Sequence, residues 1–373
     1  MKKLKLPPIK KLPKVKAHCS YIGTAGYNQH SRDFFRALSE KVDLQIRNFT
    51  VGKNWEGNTD EQHNKEPYIT ELDKKLLVQQ ELWNSKQELE TFPVYSNYPN
   101  NFIPDVNIIL NEVNHHFYYQ DYDDSKHKVA YVAWEFTKYP ENYFNKLKEF
   151  DQVWVPSKWQ AECSIKQGLD ADKVKVVPEG VNGATFKPTK FKITSDYEDN
   201  RFKFLVFGRW DYRKSTKEII QTFLKEFSSD EPVDLIISVD NPYSNDGFNS
   251  TEERLFEYDL QDPRIKVKHF PSREDYITFL QNGHVFVSCA RSEGWNLPLI
   301  EAMACGTPSI YSNCSGQLEF AEGKGLPVKV IGETPIDKEM GNFFGASQTE
   351  VGNYYTPDFG DLAKVMRNAY QNY

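Results

Sequence analysis

Two glutamates flank a turn whose residue types suit a sugar phosphate. Glu293 and Glu301 lie in the stretch CARSEGWNLPLIEAMACGTPSIYSNCSG, residues 289–316, with seven residues between them. Asn296 is an expected helix N-cap, and Pro298 stands in the first turn, where its missing N–H costs nothing. The free N–H groups and positive end of such a helix attract phosphate, and carboxylates accept hydrogen bonds from sugar hydroxyls.

The elements around these glutamates are predicted to be a strand, a loop, a helix and a second strand. The apolar run 284–289 ends just before Glu293, and Gly294 lacks a Cβ, so a ligand could approach the backbone there. Gly306 is expected to end the helix. An ordinary capped helix of an α/β domain would have the same local pattern, since two glutamates at this spacing are common by chance.

A cluster of positively charged residues follows another predicted strand, 202–207. Gly208, Arg209 and Lys214 lie between this strand and a helix. Arginine offers a planar fork of donors and lysine a point charge, so the pair could hold a diphosphate. Arg213, adjacent to Lys214, could instead be a surface charge.

The first half of the chain shows the same alternation of strands and helices. The predicted strand 17–22 leads through a turn containing Gly26 into a helix, although the dinucleotide fingerprint GxGxxG is absent. Glu135 ends the predicted strand 128–134. Both positions lie where α/β sheets place ligand contacts, at the carboxyl ends of strands.

A metal site is not predicted. Asp121-Tyr-Asp123 matches the short D-x-D pattern, and His115 and His116 are nearby, but a polar loop explains these residues better. The five cysteines contain no C-x-x-C pair, which favours a reduced protein without structural zinc.

Composition excludes several classes of protein. The 373 residues allow two or three domains, and the net charge of −7 gives no strong nucleic-acid signal. No run approaches the ~18 apolar residues of a membrane span. The first sixteen residues carry seven lysines and three prolines, which favours a flexible tail; peripheral contact with anionic lipid, or with nucleic acid, is the alternative.

Several strings resemble the family 4 retaining glycosyltransferases. They are SEGWNLPLIEAMACGTPSI around the two glutamates, VWVPS with KVKVVPEGVN at 153–182, and the G-R…R-K segment at 208–214. The resemblance covers most of 15–373 and is weak across 52–100, whose role is left open. It implies the GT-B fold: α/β, with two Rossmann-like doubly wound parallel-sheet domains facing a cleft.

The resemblance also implies a domain organisation. A basic flexible tail, 1–16, would precede an acceptor-side domain at 17–190, and a nucleotide-sugar-binding domain would occupy 200–373. Relatives usually continue with further helices beyond the last one seen here, so a fragment or an abbreviated C-terminus is expected.

The implied activity is a hexosyltransferase-like, metal-independent transfer with retention of configuration. A nucleotide-diphosphate sugar would be the co-substrate, with no other cofactor, and a glycan, lipid, protein or other hydroxyl compound the acceptor, in the cytoplasm. The implied catalytic residues are Glu293, Arg209, Lys214 and Glu135. The implied donor-binding residues are Gly26, Gly208, Ser272, Gly294, Trp295, Asn296, Leu297 and Glu301. Glu293 would orient the donor sugar and Glu301 would bind the ribose.

Two alternatives remain open from the sequence. One is a non-catalytic sugar-nucleotide or glycan-binding GT-B module of a larger protein. The other is a GT-B enzyme of different outcome, such as an epimerase or a phosphorylase, although the lysine context expected of a pyridoxal-dependent phosphorylase is not seen.

Overall fold

A computed structural model of the chain describes residues 11–22, 26–50, 70–83, 89–92, 102–111, 125–189, 201–241, 246–270, 272–343, 346 and 348–373. These residues fall into two compact units. The first comprises Met1–Ala133, Glu141–Val155 and Leu169–Lys175, and the second comprises Trp134–Pro140, Pro156–Gly168 and Val176–Tyr373. Within the described ranges, no helix is long and apolar enough to cross a membrane.

One sheet has eight strands in the order β4-β3-β2-β1-β5-β6-β7-β8. The strands are β1 (Lys14–Cys19), β2 (Asp43–Thr50), β3 (Leu77–Trp83), β4 (Leu89–Phe92), β5 (Val106–Leu110), β6 (His127–Tyr131), β7 (Gln152–Val155) and β8 (Val174–Val176). Pairing is parallel from β3 through β7, and β4 runs antiparallel to β3. The helices along this part of the chain are α1 (Gly26–Ser39), α2 (Glu71–Leu76), α3 (Glu141–Leu147) and α4 (Lys158–Gln167).

The second sheet has six strands in the order β11-β10-β9-β12-β13-β14, all paired in parallel. They are β9 (Phe202–Phe207), β10 (Val233–Ser238), β11 (Ile265–Val267), β12 (Val285–Ser288), β13 (Ser309–Ser312) and β14 (Leu326–Val328). The helices between them are α5 (Thr216–Glu226), α6 (Thr251–Glu257), α7 (Arg273–Asn282), α8 (Leu297–Ala304) and α9 (Leu318–Ala321).

A two-stranded antiparallel ribbon follows this sheet. It is formed by β15 (Val330–Pro335) and β16 (Asn353–Pro357), with α10 (Lys338–Phe343) and α11 (Gln348–Val351) between them. The last element is α12 (Phe359–Gln371), capped by the Asp358 side chain.

Strand β9 is central in its sheet and is buried on both faces. Phe204 and Val206 lie in one core with residues of α5 and α12. Leu205, between them in sequence, lies in a second core with residues of α7 and α8. Successive side chains of a strand point to opposite faces, so a parallel strand covered on both faces is expected to be mainly apolar, and in β9 only Lys203 is polar.

Several predicted elements differ from the observed ones. The helix predicted around 69–84 is wrong beyond Leu76, because β3 begins at Leu77 and pairs with β2. β1 begins at Lys14, inside the segment predicted as a tail, while residues 1–10 lie outside the described part of the chain. Residues 190–200, between the two predicted domains, also lie outside the described residues, so the domain boundaries at 17–190 and 200–373 stay a prediction.

Candidate active site

Three loops meet at one edge of the second sheet. β9, β12 and β13 are neighbours and run parallel, so their carboxyl ends lie side by side. The loops that follow them are 208–215, 289–296 and 313–317. Ligands of open α/β sheets bind at this edge.

Glu293 is held between two cations in the second loop. Its carboxylate lies 2.5 Å from the Lys214 Nζ and 2.9 Å from Nη1 of Arg213. Only 5% of Glu293 is exposed. Burial raises the pKa of this carboxyl group, but the charges of Arg213 and Lys214 outweigh burial and hold the pKa below its ordinary value. Glu293 is therefore a fixed negative charge at neutral pH.

Arg213 is the cation that sequence reasoning did not place in the site. It is 5% exposed, so it is not a surface charge. Besides Glu293, its guanidinium donates to the Ser292 carbonyl oxygen at 2.9 Å and lies 3.5 Å from a carboxylate oxygen of Glu135. The signal that could have indicated Arg213 is Glu293 itself, because a carboxylate that becomes buried needs a cation beside it.

Arg209 is the more exposed cation of the first loop. Its side chain is 43% exposed, and its Nε lies 3.6 Å from a carboxylate oxygen of Asp211. Gly208 precedes it with a φ of +148°, and a Cβ there would meet the Lys214 side chain at 3.7 Å. Arg209 can therefore be reached by a ligand, whereas the ammonium group of Lys214 already contacts Glu293.

Glu135 and Glu179 add two further carboxyl groups to the cluster. Glu135 contacts Arg213, as described, and Glu179 is half-buried in the stretch that follows β8. Burial, and then the negative charges of Glu135 and Glu293, raise the pKa of Glu179 to about 8. Glu179 was not singled out from the sequence, because its carboxyl group matters only through these neighbours.

A pH dependence of stability follows from Glu179. A carboxyl group whose folded-state pKa is raised holds a proton that the unfolded chain releases, so stability falls as pH rises from about 4.5 towards 8. We expect the melting temperature of Glu179→Gln to fall less between pH 6 and pH 9 than that of the wild type. Melting curves across this range measure the difference, with Glu322→Gln, at an exposed position, as the control. Equal slopes for Glu179→Gln and the wild type would contradict the assignment.

Asn296 begins α8 but does not cap it through its side chain. Its φ is +82°, a left-handed conformation that asparagine tolerates better than most residues. Its Nδ2 instead donates to Ser288 Oγ at 2.9 Å and to Gln317 Oε1 at 2.7 Å. The side chain thus ties the ends of β12 and β13 to the start of α8, while Leu297 and Pro298 open the helix.

The loops after β12 and β13 touch backbone to backbone. A Cβ on Gly316 would lie 1.9 Å from the Gly294 carbonyl oxygen. The Gly316 N–H donates to the Glu293 carbonyl oxygen at 2.9 Å, and Ser315 Oγ accepts from the Glu293 N–H at 3.0 Å. Gly294 and Trp295 are buried beside this contact. The loop that carries Glu293 is therefore fixed on both sides.

Glu301 lies on α8 and is 7% exposed. Its Oε2 accepts a hydrogen bond from the Tyr276 hydroxyl of α7 at 2.7 Å. Burial and the charge of Glu301 raise the pKa of Tyr276 well above its ordinary value, so the hydroxyl remains a donor. Tyr276, like Arg213 and Glu179, was not singled out from the sequence.

The remaining predicted residues are dispersed. Gly26 begins α1 in the first unit and is exposed. Ser272 is exposed and caps α7 by accepting from the Asp275 N–H. Asp121, Asp123 and the adjacent histidines lie outside the described residues. Among the residues that are described, no group of three or more His, Cys, Asp or Glu side chains could hold a metal ion. The site residues as a set stay a prediction.

Comparison with known families identifies the second unit. Residues 187–333 match the family described as glycosyl transferases group 1. The matched range contains Arg209, Lys214, Glu293 and Glu301. Over this range the chain is similar to the group 1 glycosyltransferases. The resemblance inferred from the sequence is thereby confirmed.

Curated relatives match the chain over part of their own length. The alpha-monoglucosyldiacylglycerol synthase of Streptococcus pneumoniae is 24% identical over 206 residues, which are 52% of this chain and 45% of the relative. The GDP-mannose:cellobiosyl-diphosphopolyprenol alpha-mannosyltransferase of Xanthomonas campestris is 27% identical over 126 residues, 34% of this chain and 32% of the relative. The chain spans about half or less of these relatives.

Solved structures match the chain over nearly its whole length. Anabaena HepE, in complex with UDP and glucose, has a TM-score of 0.61 at 14% identity and covers 96% of this chain and 90% of its own. Sucrose-phosphate synthase from Thermosynechococcus elongatus has a TM-score of 0.62 at 17% identity, with the same coverage. The predicted α/β fold of the GT-B class, with two parallel-sheet units, is confirmed.

Proposed function

We propose that the chain is a retaining glycosyltransferase that moves a hexose from a nucleotide-diphosphate donor to a hydroxyl group of an acceptor. The observation that carries the proposal is the buried Glu293 carboxylate between Arg213 and Lys214, at the carboxyl edge of the family-matched sheet. A carboxylate in that place suits hydroxyl groups of a sugar, and the cations beside it suit a diphosphate.

The donor diphosphate would lie against Arg209, Lys214 and the start of α8. Arg209 is reachable, and the first N–H groups of a helix have no partner within the helix. Lys214 would then share its ammonium group between Glu293 and a phosphate. Because these donors are in place before the reaction, they would stabilise the charge that develops on the leaving diphosphate.

Glu293 and Glu301 would bind different parts of the donor. Glu293 would bind the sugar, and Glu301, held by Tyr276, would bind the ribose. Glu135, beside Arg213, would face the reacting sugar. We assign no covalent nucleophile, and a donor phosphate oxygen would accept the proton of the acceptor hydroxyl.

Relatives support the donor class but leave the acceptor open. The HepE structure holds UDP and glucose, and the Xanthomonas relative is named for GDP-mannose. A glycan, a lipid, a protein or another hydroxyl compound fits the proposal equally. A cytoplasmic location also stays a prediction.

The test of the function is a thermal-shift screen of nucleotide sugars, followed by an assay of release of the nucleoside diphosphate. UDP-glucose and GDP-mannose are the first probes. A ligand at one hundred times its Kd adds about 2.7 kcal/mol to the free energy of unfolding. Binding without turnover in the presence of varied acceptors would favour a non-catalytic nucleotide-sugar-binding module. Absence of binding to every nucleotide sugar would defeat the proposal.

Metal removal gives a separate prediction. Because side-chain cations and helix N–H groups would neutralise the leaving group, we expect turnover to persist in excess EDTA. Initial rates with EDTA, compared with rates after addition of Mn²⁺ or Mg²⁺, measure this. Loss of activity in EDTA with recovery on adding Mn²⁺ would instead assign a role to Asp121 and Asp123.

A further inference from the structure

Glu135 belongs to a short segment, Trp134–Pro140, that is folded into the second unit. Helix α4 holds this segment on one side. Gln160 Oε1 accepts from the Trp134 N–H at 3.1 Å. Gln167 makes two bonds to the Tyr139 backbone, each of 2.8 Å, accepting from its N–H and donating to its carbonyl oxygen. The backbone on both sides of Glu135 is thereby tied to one helix.

The ribbon of β15 and β16 holds the same segment on its other side. The Lys138 N–H donates to the Val351 carbonyl oxygen at 3.3 Å. The Asn353 N–H donates to Thr137 Oγ1 at 2.9 Å. These bonds lie on either side of Gly352, the residue that joins α11 to β16, so Gly352 faces Thr137 and Lys138 directly.

The ribbon also contacts the loops that carry the cations. The Tyr354 ring packs against both Phe136 and Tyr212, with centroid separations of 5.4 and 5.5 Å. The Tyr355 N–H donates to the Arg291 carbonyl oxygen at 2.9 Å, and Arg291 Nε donates to the Tyr212 carbonyl oxygen at 3.0 Å. One strand, β16, therefore touches the segment of Glu135 and the loops of Arg213 and Glu293.

Gly352 is where this contact leaves no room for a side chain. Its φ is +93°, which L residues rarely adopt. A Cβ there would lie 2.4 Å from Thr137 Oγ1 and 2.8 Å from the Lys138 backbone nitrogen. Any other residue must push Thr137 and Lys138 away, and Glu135 is only two residues from Thr137.

We propose that Gly352 is a positioning residue for the transfer reaction, because it lets the ribbon close on Thr137 and Lys138 and so fixes the Glu135 carboxylate beside Arg213. The proposal rests on the proposed function for its consequence in catalysis. Gly352 lies outside the family-matched range 187–333. Gly352 and β16 thus add a site-forming element beyond that range.

The first test is Gly352→Ala, assayed by release of UDP from UDP-glucose or GDP from GDP-mannose, whichever the wild type turns over. We expect kcat to fall at least about tenfold, since misplacement of a reacting group by 1 Å can cost about 100-fold. The Kd for the nucleoside diphosphate should change less than about threefold, because Arg209 and Lys214 lie on other loops.

Two other glycines separate the clash from simpler effects. Gly323 has a φ of +71°, and Gly332 lies in β15; a Cβ at either would meet nothing within 4 Å. Gly323→Ala therefore tests backbone strain alone, and Gly332→Ala tests a neutral change in the ribbon. Both should keep kcat within about twofold of the wild type. A kcat for Gly352→Ala that equals that of Gly323→Ala would overturn the proposal.

A double-mutant cycle tests whether Gly352 acts through Glu135. If it does, Gly352→Ala should add little to the loss in Glu135→Gln, whereas independent effects on kcat would multiply. Multiplying effects would overturn the proposal. Should Gly352→Ala fail to fold, Thr137→Val removes the acceptor of the Asn353 N–H and should lower kcat, while Thr137→Ser should restore it; equal kcat in these two variants would likewise overturn it.

Hydrogen exchange separates failure of this proposal from failure of the proposed function. In Gly352→Ala the amides of Lys138 and Asn353 should exchange at least about tenfold faster than in Gly323→Ala, because their hydrogen bonds are broken. This readout needs no substrate. If no nucleotide sugar is turned over but hydrogen exchange becomes faster in Gly352→Ala, the proposed function is wrong. The role of Gly352 in positioning Thr137 and Lys138 is then still supported. Unchanged exchange would overturn the positioning whatever the activity.

Discussion

Glu293→Gln is expected to lower kcat by about 10- to 100-fold. The wild-type carboxylate would bind sugar hydroxyls most strongly as positive charge develops on the sugar, and a hydrogen bond to a charged group contributes about 1.5–3 kcal/mol. The Kd for the nucleoside diphosphate should stay the same or decrease, because Lys214 would no longer share its ammonium group with a carboxylate. Steady-state kinetics with the best donor, and calorimetry with its nucleoside diphosphate, measure the two effects.

Two other Glu→Gln variants test whether the effect on kcat is specific to Glu293. Glu257→Gln, at an exposed position on α6, should leave both kcat and Kd unchanged. Glu301→Gln should weaken nucleotide binding more than it lowers kcat, because Glu301 would contact the ribose. Normal turnover by Glu293→Gln, in a protein that melts like the wild type, would refute the role of Glu293. A complex with Glu301 on the transferred sugar would reverse the two assignments.

Arg213→Met is expected to cause the largest loss of stability, about 3–5 kcal/mol. Removing one partner of a buried ion pair leaves the other charge without compensation, and here Glu293 and Glu135 both face the guanidinium. At roughly 2–4 °C per kcal/mol, the melting temperature should fall by about 10 °C. Thermal or urea unfolding measures it.

The pH dependence of the Arg213 variant should differ from that of the wild type. Without the guanidinium, Lys214 alone would oppose the effect of burial, so the pKa of Glu293 would be higher than in the wild type and its ionisation would stabilise the folded state less as the pH rises. The loss of unfolding free energy in Arg213→Met, relative to the wild type, should therefore be smaller at pH 5 than at pH 8. Lys329→Met removes a cation that is 78% exposed and 3.6 Å from Asp361, and should change stability by less than about 1 kcal/mol. A loss of less than about 1 kcal/mol in Arg213→Met would contradict a buried ion pair between Arg213 and Glu293.

Local signals in the sequence were enough for part of the fold. β9 has the predicted bounds, because a run that is apolar except for Lys203 fits a strand buried on both faces. The helix prediction was wrong for residues 77–83 because their strand conformation depends on pairing with β2, which is distant in sequence. The ribbon was not predicted for the same reason: β15 and β16 are strands only because they pair with each other.

The site was predictable as a set of loops but not as a set of contacts. Glu293 and Lys214 were singled out by motif, and the structure brings their charged atoms together. Arg213 and Lys214 are adjacent, and sequence alone gives no means of deciding which of two neighbouring cations is buried. Tyr276 lies 25 residues before Glu301, on another helix, so their hydrogen bond has no local signature.

The second unit draws on two stretches of chain, Trp134–Pro140 and Pro156–Gly168, that precede its own sheet. A truncated protein starting near residue 200 would contain the six-stranded sheet and most of the family-matched range, but not those stretches. Tyr355 would lose the hydrogen bond from Trp159, Glu319 would lose the Lys158 backbone N–H, and the ring of Tyr354 would lose Phe136. Expression of residues 200–373 alone should therefore give an aggregation-prone product, and a truncation that keeps the second unit intact must begin before Trp134.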